Sequence, residues 1–268
     1  QGITGTLLHF TLPMMVGSFL QQCYNIADTL IVGQCIGAGA LAAVGSAYTL
    51  MVFLISVLLG LAMGSGTVFS LHYGAGNHVA LRRSIFSSFV LIGIVTLILN
   101  VAVFIWLDPI LRLLQVPQDI YGMMRSYLWI IFCGIVFTFI YNFYASLLRA
   151  VGDSVTPLWF LAVSVVLNIA LDLFFILQLD WGIQGAAAAT VLAQGVAALG
   201  IIIYTYRRRP ELRWHHEDMC FDRTCLKEIA SFSTLTCVQQ SVMNLGILMI
   251  QGLVNSFGTA VMAAFAAA

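Results

Sequence analysis

Carboxylates inside apolar sequence are the first residues whose chemistry needs an explanation. Asp172 lies in the apolar run 163–175 and is the only formal charge in residues 154–179. Placing an ionisable side chain near the middle of a bilayer costs at least about 2.5 kcal/mol of free energy. A residue that is present despite this cost is expected to have a functional role. Ser164 and Asn168 precede Asp172 at intervals of four residues, which places three polar side chains on one helix face. Asp172 is therefore the first functional candidate.

A second acid ends a similar polar stripe in the first long apolar stretch. Gln21, Asn25 and Asp28 are spaced i, i+4 and i+7, so they share one helix face. Pro13 lies near the start of the same stretch. It fits either an ordinary first-turn proline or an interior proline that leaves a carbonyl unpaired and bends a longer helix. The second alternative makes Pro13 a candidate hinge.

The composition predicts an all-α polytopic membrane protein. Of the 268 residues, 61% are hydrophobic and 8% are charged, and the formal net charge is zero, so no nucleic-acid partner is expected. The chain starts without Met and stops in an alanine run, and is therefore expected to be a fragment at both ends. A bilayer span needs roughly 20 apolar residues. Seven segments qualify, with no soluble domain between them: 7–33, 42–71, 84–107, 122–148, 157–179, 183–206 and 229–257.

Lys and Arg are concentrated on one side of the predicted spans. The opposite side holds only Arg112 and Arg125, beside Asp108 and Asp119. Because Lys and Arg favour cytoplasmic loops, the even-numbered loops and the N-terminus are predicted to be cytoplasmic, in a multi-pass protein of the inner (plasma) membrane. The residues that set this orientation follow the second, fourth and sixth spans: Arg82, Arg83, Arg149, Arg207, Arg208, Arg209, Arg213, Arg223 and Lys227.

Alternating span direction also predicts the depth of each polar group. At 1.5 Å per residue, Asp28, Asp172 and Thr190 each lie about two turns from the outer end of their span. Three helices would then share one polar layer in the outer half of the membrane. If the two acids lie close together in such a layer, a proton or a monovalent cation is expected between them. The alternative is that both acids only accept hydrogen bonds and hold helices together.

Further polar side chains could line a substrate cavity or only join helices. In the fourth span Asn142 forms a weak polar stripe with Thr138 and Ser146, and in the second span Gly60 and Gly64 allow close approach of another helix. Buried Asn more often links helices than binds substrate. The residues predicted to face a substrate or cavity are Gln21, Asn25, Tyr141, Asn142, Gln194, Gln240 and Asn244.

No enzyme chemistry is predicted from the motifs. Gly152 and Asp153 superficially fit an intramembrane aspartyl protease, but this acid sits in a turn next to Arg149 and Pro157. No metalloprotease His-Glu-x-x-His occurs in the sequence. The polar segment 215–220 with Cys225 matches no strong zinc spacing. We therefore expect neither a metal site nor an organic cofactor.

Several motifs, in order along essentially the whole chain, resemble one transporter family. They are Pro13, YNIADT at 24–29, GAGALAAVG at 37–45, LRAVGD at 148–153 with Pro157, and Asn168-x-x-x-Asp172. Together they resemble the multidrug and toxic compound extrusion (MATE) transporters, in the DinF-like branch. The resemblance implies half of a twelve-helix fold. Residues 1–206 would form the N-terminal six-helix transmembrane lobe, 207–227 a cytoplasmic inter-lobe loop, and 228–268 the first helix of the C-terminal lobe.

The resemblance also implies a site and a function. Its amino-lobe cation site corresponds to Asp28, Asn168, Asp172 and Thr190, and Asn142 resembles a further family position. The expected function is a secondary antiporter that exports small amphiphilic or cationic compounds in exchange for H+ or Na+ by alternating access. Its partners would be the small-molecule substrate, membrane lipids and the missing C-terminal lobe. The alternatives are a flippase for lipid-linked precursors, from the related superfamily, and a non-transporting membrane scaffold.

A faint internal repeat supports two related halves. Residues 35–47 align without gaps on residues 256–268 and share a Gly and three Ala positions. The seventh span is therefore predicted to repeat the first. An even number of helices between the repeats would make them parallel, related about an axis along the membrane normal.

Overall fold

A computed structural model describes residues 3–219 and 223–267, and within these ranges the chain is helical and contains no strand. The last turn of α6 continues as a π-helical turn, Phe174–Gln178, and the segment between α7 and α8 contains two short 3-10 turns. The helices are α1 (Ile3–Cys35), α2 (Ala38–Gly74), α3 (His78–Leu113), α4 (Gln118–Cys133), α5 (Ile135–Ala150), α6 (Val155–Leu173), α7 (Gly182–Arg208), α8 (Arg223–Asn255) and α9 (Thr259–Ala267).

Most of the predicted spans correspond to helices that are long and apolar enough to cross a membrane. In the described residues five single helices qualify, namely α2, α3, α6 with its π turn, α7 and α8. The predicted fourth span, 122–148, is instead a pair of helices, α4 and α5, bent by 49°. The bend lies at Gly134, where a Cβ atom would stand 2.6 Å from Val191 of α7, so α7 packs directly into it.

The first predicted span differs in character from the others. α1 has 33 residues, which is ample length for a span, but it is not among the helices with the required apolarity. The polar stripe of Gln21, Asn25 and Asp28 lowers its mean hydropathy. Such a helix needs polar neighbours inside the bundle for its polar face.

The bundle places α6 between α1 and α7, while α2 contacts α3, α4 and α5. Part of the core is a cluster of aromatic side chains on three helices. Phe143 of α5 packs edge-on against Phe69 of α2, with ring centroids 5.9 Å apart, and against Phe89 of α3 at 5.3 Å. Edge-to-face packing of this kind adds about 0.5–1.5 kcal/mol per pair to the burial term. It holds α5, a direct neighbour of α7, against α2 and α3.

Helix α8 packs along α2, and two glycines allow the contact. A Cβ atom at Gly60 would lie 2.4 Å from Cys237 Cα, and one at Gly64 would lie 2.4 Å from Ser233 Cα. Neither position can hold a larger residue unless the helices move apart. The sequence prediction of close helix packing at Gly60-x-x-x-Gly64 is confirmed.

A buried polar network joins α8 to α2 at the other end of this interface. The Gln251 amide donates to Ser46 Oγ at 2.7 Å and to Asn255 Oδ1 at 2.8 Å, and Ser46 Oγ donates to Asn255 Oδ1 at 2.9 Å. The Asn255 amide also donates to the Leu114 carbonyl at 2.8 Å. A buried network in which each member has a partner specifies one register between two helices.

The two aligned segments of the internal repeat have matching structures. α1 and α8 both contain 33 residues, and each is followed by a positive-φ glycine, Gly37 at 120° and Gly258 at 91°. α2 then begins at Ala38 and α9 at Thr259, which are equivalent positions in the alignment. The segment 228–268 was predicted to be one helix. It contains the greater part of α8 and a separate helix, because the glycine turn ends α8 at Asn255.

The predicted loop 207–227 is attached to the bundle. α7 continues to Arg208 and α8 already begins at Arg223, so the connection is shorter than predicted, and residues 220–222 lie outside the described part. Arg82 Nε of α3 donates to Asp218 Oδ2 at 2.8 Å, and the His215 backbone N–H donates to the same oxygen at 3.0 Å. Asp218 is only 4% exposed.

This attachment predicts a specific pH dependence. Burial alone would raise the pKa of Asp218, but the hydrogen bonds from His215 and Arg82 outweigh it and hold the pKa below its usual value. At pH values above about 3.9, the ordinary pKa of an Asp side chain, a carboxylate whose pKa is lowered in the folded protein stabilises the attached loop. That stability falls as the pH drops towards the folded pKa. Trp214 emission should therefore stay constant from pH 7 to about pH 5 and shift to the red only at lower pH.

The Asp218→Asn variant provides the control for this prediction. It should show the red-shifted emission already at pH 7, because the neutral amide loses the charge-assisted bond to Arg82. A wild-type transition between about pH 5 and 7 would instead assign the attachment to a histidine. The same emission in both proteins at pH 7 would contradict the role of Asp218.

Candidate functional site between α1, α6 and α7

The polar stripe of α6 is turned into the bundle. Ser164 is 8% exposed, Asn168 3% and Asp172 0%, whereas Val163 and Val166 on the other side of the helix are 51% and 69% exposed. A π-helical turn begins two residues after Asp172. The helix therefore directs its polar side chains towards α1 and α7, as the stripe spacing predicts.

Asn168 connects the carboxylate of Asp172 to α7. Its amide nitrogen donates to Asp172 Oδ2 at 3.0 Å, and its amide oxygen accepts from Thr190 Oγ1 at 3.2 Å and from the Thr190 backbone N–H at 3.1 Å. The Tyr24 hydroxyl of α1 lies 3.4 Å from Thr190 Oγ1. Three helices thus meet at one chain of hydrogen bonds.

The Asp28 carboxyl group of α1 stands within hydrogen-bonding reach of Asp172. Each acid also has a buried Oδ1 atom without a hydrogen-bond partner. Within the described residues, no Lys or Arg forms an ion pair with either acid. Two carboxylates in contact away from water repel each other unless a proton or a cation lies between them.

A small cavity lies beside Asn168 and Thr190, and neither acid is among its lining residues. Its volume is about 20 Å³, enough for a single water-sized occupant. Its polar lining includes Gln21 and Tyr24 of α1, Ser164 and Asn168 of α6, and Thr190 and Gln194 of α7. Gln21 and Gln194, which the sequence analysis names as residues that could face a substrate or cavity, are both part of this lining.

A larger cavity of about 340 Å³ opens between α1, α5 and α6. Gln21, Tyr141 and Asn142 line it together with Pro13. Pro13 is the eleventh residue of α1, so the first-turn alternative is wrong and the proline lies inside the helix. The Asn142 amide nitrogen donates to the Thr138 carbonyl at 2.8 Å, which leaves its oxygen without a partner among the described contacts.

Three of the predicted cavity residues lie elsewhere. Asn25 donates to the Tyr48 hydroxyl at 3.4 Å and lines a separate cavity of about 470 Å³ that includes Ala266 of α9. Gln240 and Asn244 lie on α8, whose main neighbours are α2 and α3, and the Asn244 amide donates to the Gln240 carbonyl at 2.9 Å. The position of α8 explains this difference, because α8 packs against α2 and α3, whereas α1, α5 and α6 surround the 340 Å³ cavity.

Tyr24 and Arg149 are examples of cavity residues that were not among the predicted site residues. Tyr24 reaches Thr190, and the available signal was its position one turn before Asp28. Arg149 lines the 340 Å³ cavity, although the sequence analysis used it only to predict the orientation in the membrane. The bend between α4 and α5 was invisible in the sequence, and it sets the direction in which the end of α5 points.

The sequence profile of the MatE family matches residues 13–174, which is more than half of the chain and includes the Asp28–Asn168–Asp172 part of the site. This chain belongs to the MatE family. The stretch matched runs from the proline inside α1 to the end of α6. Members of this family are transporters rather than a class of enzymes.

Relatives of this MatE chain are described as drug-resistance proteins. The probable multidrug resistance protein YpnP of Bacillus subtilis is 33% identical over 268 residues, covering 97% of this chain and 58% of the relative. The multidrug export protein MepA of Staphylococcus saprophyticus is 31% identical over 210 residues, covering 75% of this chain and 45% of the relative. The chain therefore spans about half the length of the curated relatives that it matches.

Solved MATE transporters share the fold. An inward-facing multidrug resistance MATE transporter superposes with a TM-score of 0.84 at 25% identity, covering 98% of this chain and 60% of that one. The Vibrio cholerae MATE transporter VcmN in its bent form superposes at 0.83 with 27% identity, covering 98% and 59%. The all-α, multi-pass membrane fold predicted from composition is thus confirmed.

Proposed function

We propose that this MatE chain forms the cation-coupled part of a secondary antiporter that exports small amphiphilic or cationic compounds. The observation that carries the proposal is the close approach of Asp28 to Asp172. Asp172 is buried and Asp28 is half-buried, each has a buried Oδ1 atom without a hydrogen-bond partner, and neither has a basic partner among the described residues. A proton or Na+ between the two carboxyl groups would remove their mutual repulsion. Asn168 and Thr190 supply further oxygen and amide groups around it.

Coupling requires that the ion changes the relative stability of two states of the protein. An ion shifts a conformational equilibrium only through its different affinity for the two states. Asp28 and Asp172 lie on different helices, so an ion that joins them favours the state in which α1 packs against α6. Pro13, inside α1 and at the edge of the 340 Å³ cavity, is the proposed hinge. The N-terminus is proposed to face the cytoplasm of a cell whose plasma membrane holds the protein.

A lipid-linked-precursor flippase is the second candidate, and one residue favours it. Arg149 lines the 340 Å³ cavity beside Gln21 and Asn142, and a fixed positive charge suits an anionic phosphate group. A cationic drug would be repelled by the same side chain. Export of a cationic dye would favour the antiporter. Inhibition of that export by an anionic phospholipid analogue would favour the flippase.

Transport in vesicles tests the main proposal. The protein, expressed from its complete native gene, is reconstituted into vesicles, and movement of a fluorescent cationic dye is followed under an imposed pH gradient or an imposed Na+ gradient. We expect one of the two gradients to drive the dye and its collapse to stop the movement. Dye movement that is independent of both gradients would contradict antiport, and no movement would favour the flippase or the scaffold.

A further inference from the structure

A groove remote from the acid pair lies where α7 ends and α3 begins. It has a volume of about 580 Å³ and is open at the protein surface. Its walls are largely aromatic, from Phe89 of α3, Tyr144 of α5, and Tyr206 of α7, with Trp214 from the segment that follows. Arg207 is the charged residue of the lining, and we refer to this surface as the Trp214 groove.

The exposed face of α7 leads into this groove. Leu192, Val196, Leu199 and Ile203 are 49%, 47%, 58% and 51% exposed, and their spacing forms one apolar stripe that ends at Arg207. α7 has 27 residues and is therefore about 40 Å long, against about 30 Å for the hydrocarbon core of a bilayer. The end of α7 that carries Arg207 thus reaches the headgroup layer.

The aromatic wall is held in place by several contacts. Trp214 packs against Phe89 with ring centroids 5.5 Å apart, against Phe86 at 6.0 Å and against Tyr206 at 6.4 Å. The Arg213 guanidinium donates to the Tyr206 carbonyl and fixes the segment to α7. An indole held at this depth is typical of the membrane interface.

The positive charge of the groove is not neutralised by the neighbouring acids. Glu211 is paired with Arg209, and Asp218 with Arg82. In the part of the chain that the structure describes, no acid lies within ion-pair distance of Arg207 or the adjacent Arg208, and both are exposed. The groove therefore combines an apolar wall facing hydrocarbon with unpaired positive charge at headgroup depth.

We propose that the Trp214 groove binds an anionic phospholipid. One acyl chain lies along Ile203 and Phe89, and the phosphate contacts Arg207. Charge complementarity selects the occupant, because a zwitterionic lipid carries no net negative charge for the unpaired arginines. The site is separate from the acid pair and from the 340 Å³ cavity, and the proposal does not depend on the direction or the coupling ion of transport.

Fluorescence quenching tests this binding. The protein, expressed from its complete native gene, is placed in nanodiscs of phosphatidylcholine, and dibrominated phosphatidylglycerol or dibrominated phosphatidylcholine replaces part of the lipid. The difference in emission between the wild type and Trp214→Phe isolates Trp214. We expect dibrominated phosphatidylglycerol to reach half-maximal quenching at about fivefold lower mole fraction than dibrominated phosphatidylcholine. Arg207→Gln should remove this preference.

The control is Arg112→Gln, at an exposed position near the opposite end of α3, which should retain the preference. Equal quenching by the two lipids, or an unchanged preference in Arg207→Gln, would overturn the proposal. Absence of quenching would show that another part of the protein covers the groove and would overturn it as well. If Trp214→Phe does not fold, native mass spectrometry of the wild type and Arg207→Gln gives the same decision, because the variant should retain fewer phosphatidylglycerol molecules.

Discussion

Asp172→Asn should reduce gradient-driven dye export by at least about tenfold, the change that about 1.4 kcal/mol of lost ion affinity produces. The amide has nearly the shape of the carboxyl group and can still accept the bond from Asn168, so the helix packing around it should be preserved. The amide of the Asp172→Asn variant carries no negative charge and does not take up or release a proton during transport. The protein should therefore be present at wild-type level in the membrane and yet fail to couple export to the gradient.

The matched control for this experiment is Asp180→Asn. Asp180 lies shortly after the π-helical turn that follows Asp172, is exposed, and has a φ of 51°, which Asn adopts readily. Export by this variant should equal that of the wild type. Undiminished export by Asp172→Asn would contradict the proposed coupling. Loss of export in both variants would point to a general effect on expression or folding, which the membrane levels of the two proteins would reveal.

Gly64→Ala should lower the melting temperature of the protein by about 5 °C. The added Cβ would lie 2.4 Å from Ser233 Cα and 2.6 Å from the Ser233 backbone nitrogen, and neither backbone atom can move without displacing α8. Overpacking of this kind costs about 1–3 kcal/mol. A loss of 1 kcal/mol lowers the melting temperature by about 2–4 °C in chains of about 150–250 residues. The fraction of protein that remains monodisperse after heating measures the effect.

Gly74→Ala is the matched control on the same helix. A Cβ atom at Gly74 has no neighbour within 4 Å, and Ala is the better helix former, so the melting temperature should stay the same or rise. The comparison separates crowding at the α2–α8 contact from the general effect of replacing a glycine. An unchanged melting temperature for Gly64→Ala would show that α2 and α8 do not approach as closely as the structure has them.

The sequence determined the class of the fold and the residues at the centre of the site. Apolar length predicted helical spans, because a continuous run of about 20 apolar residues can satisfy its backbone hydrogen bonds within the membrane by forming a helix. Helical spacing placed Ser164, Asn168 and Asp172 on one face, and burial of all three follows the same geometry. Depth along spans of alternating direction predicted that Asp28, Asp172 and Thr190 lie at one level, because every span crosses the same thickness.

Only the tertiary structure decided which polar faces meet. Residue spacing along one helix determines which side chains share a face, but not which helix packs against that face. Tyr24 and Arg149 therefore line cavities that the sequence did not predict for them, whereas Gln240 and Asn244 lie on α8, which packs against α2. The bend at Gly134 depends on the approach of Val191, which lies more than fifty residues away in the sequence. Interhelical contacts come from packing between distant segments, and the periodicity of a single segment carries no information about them.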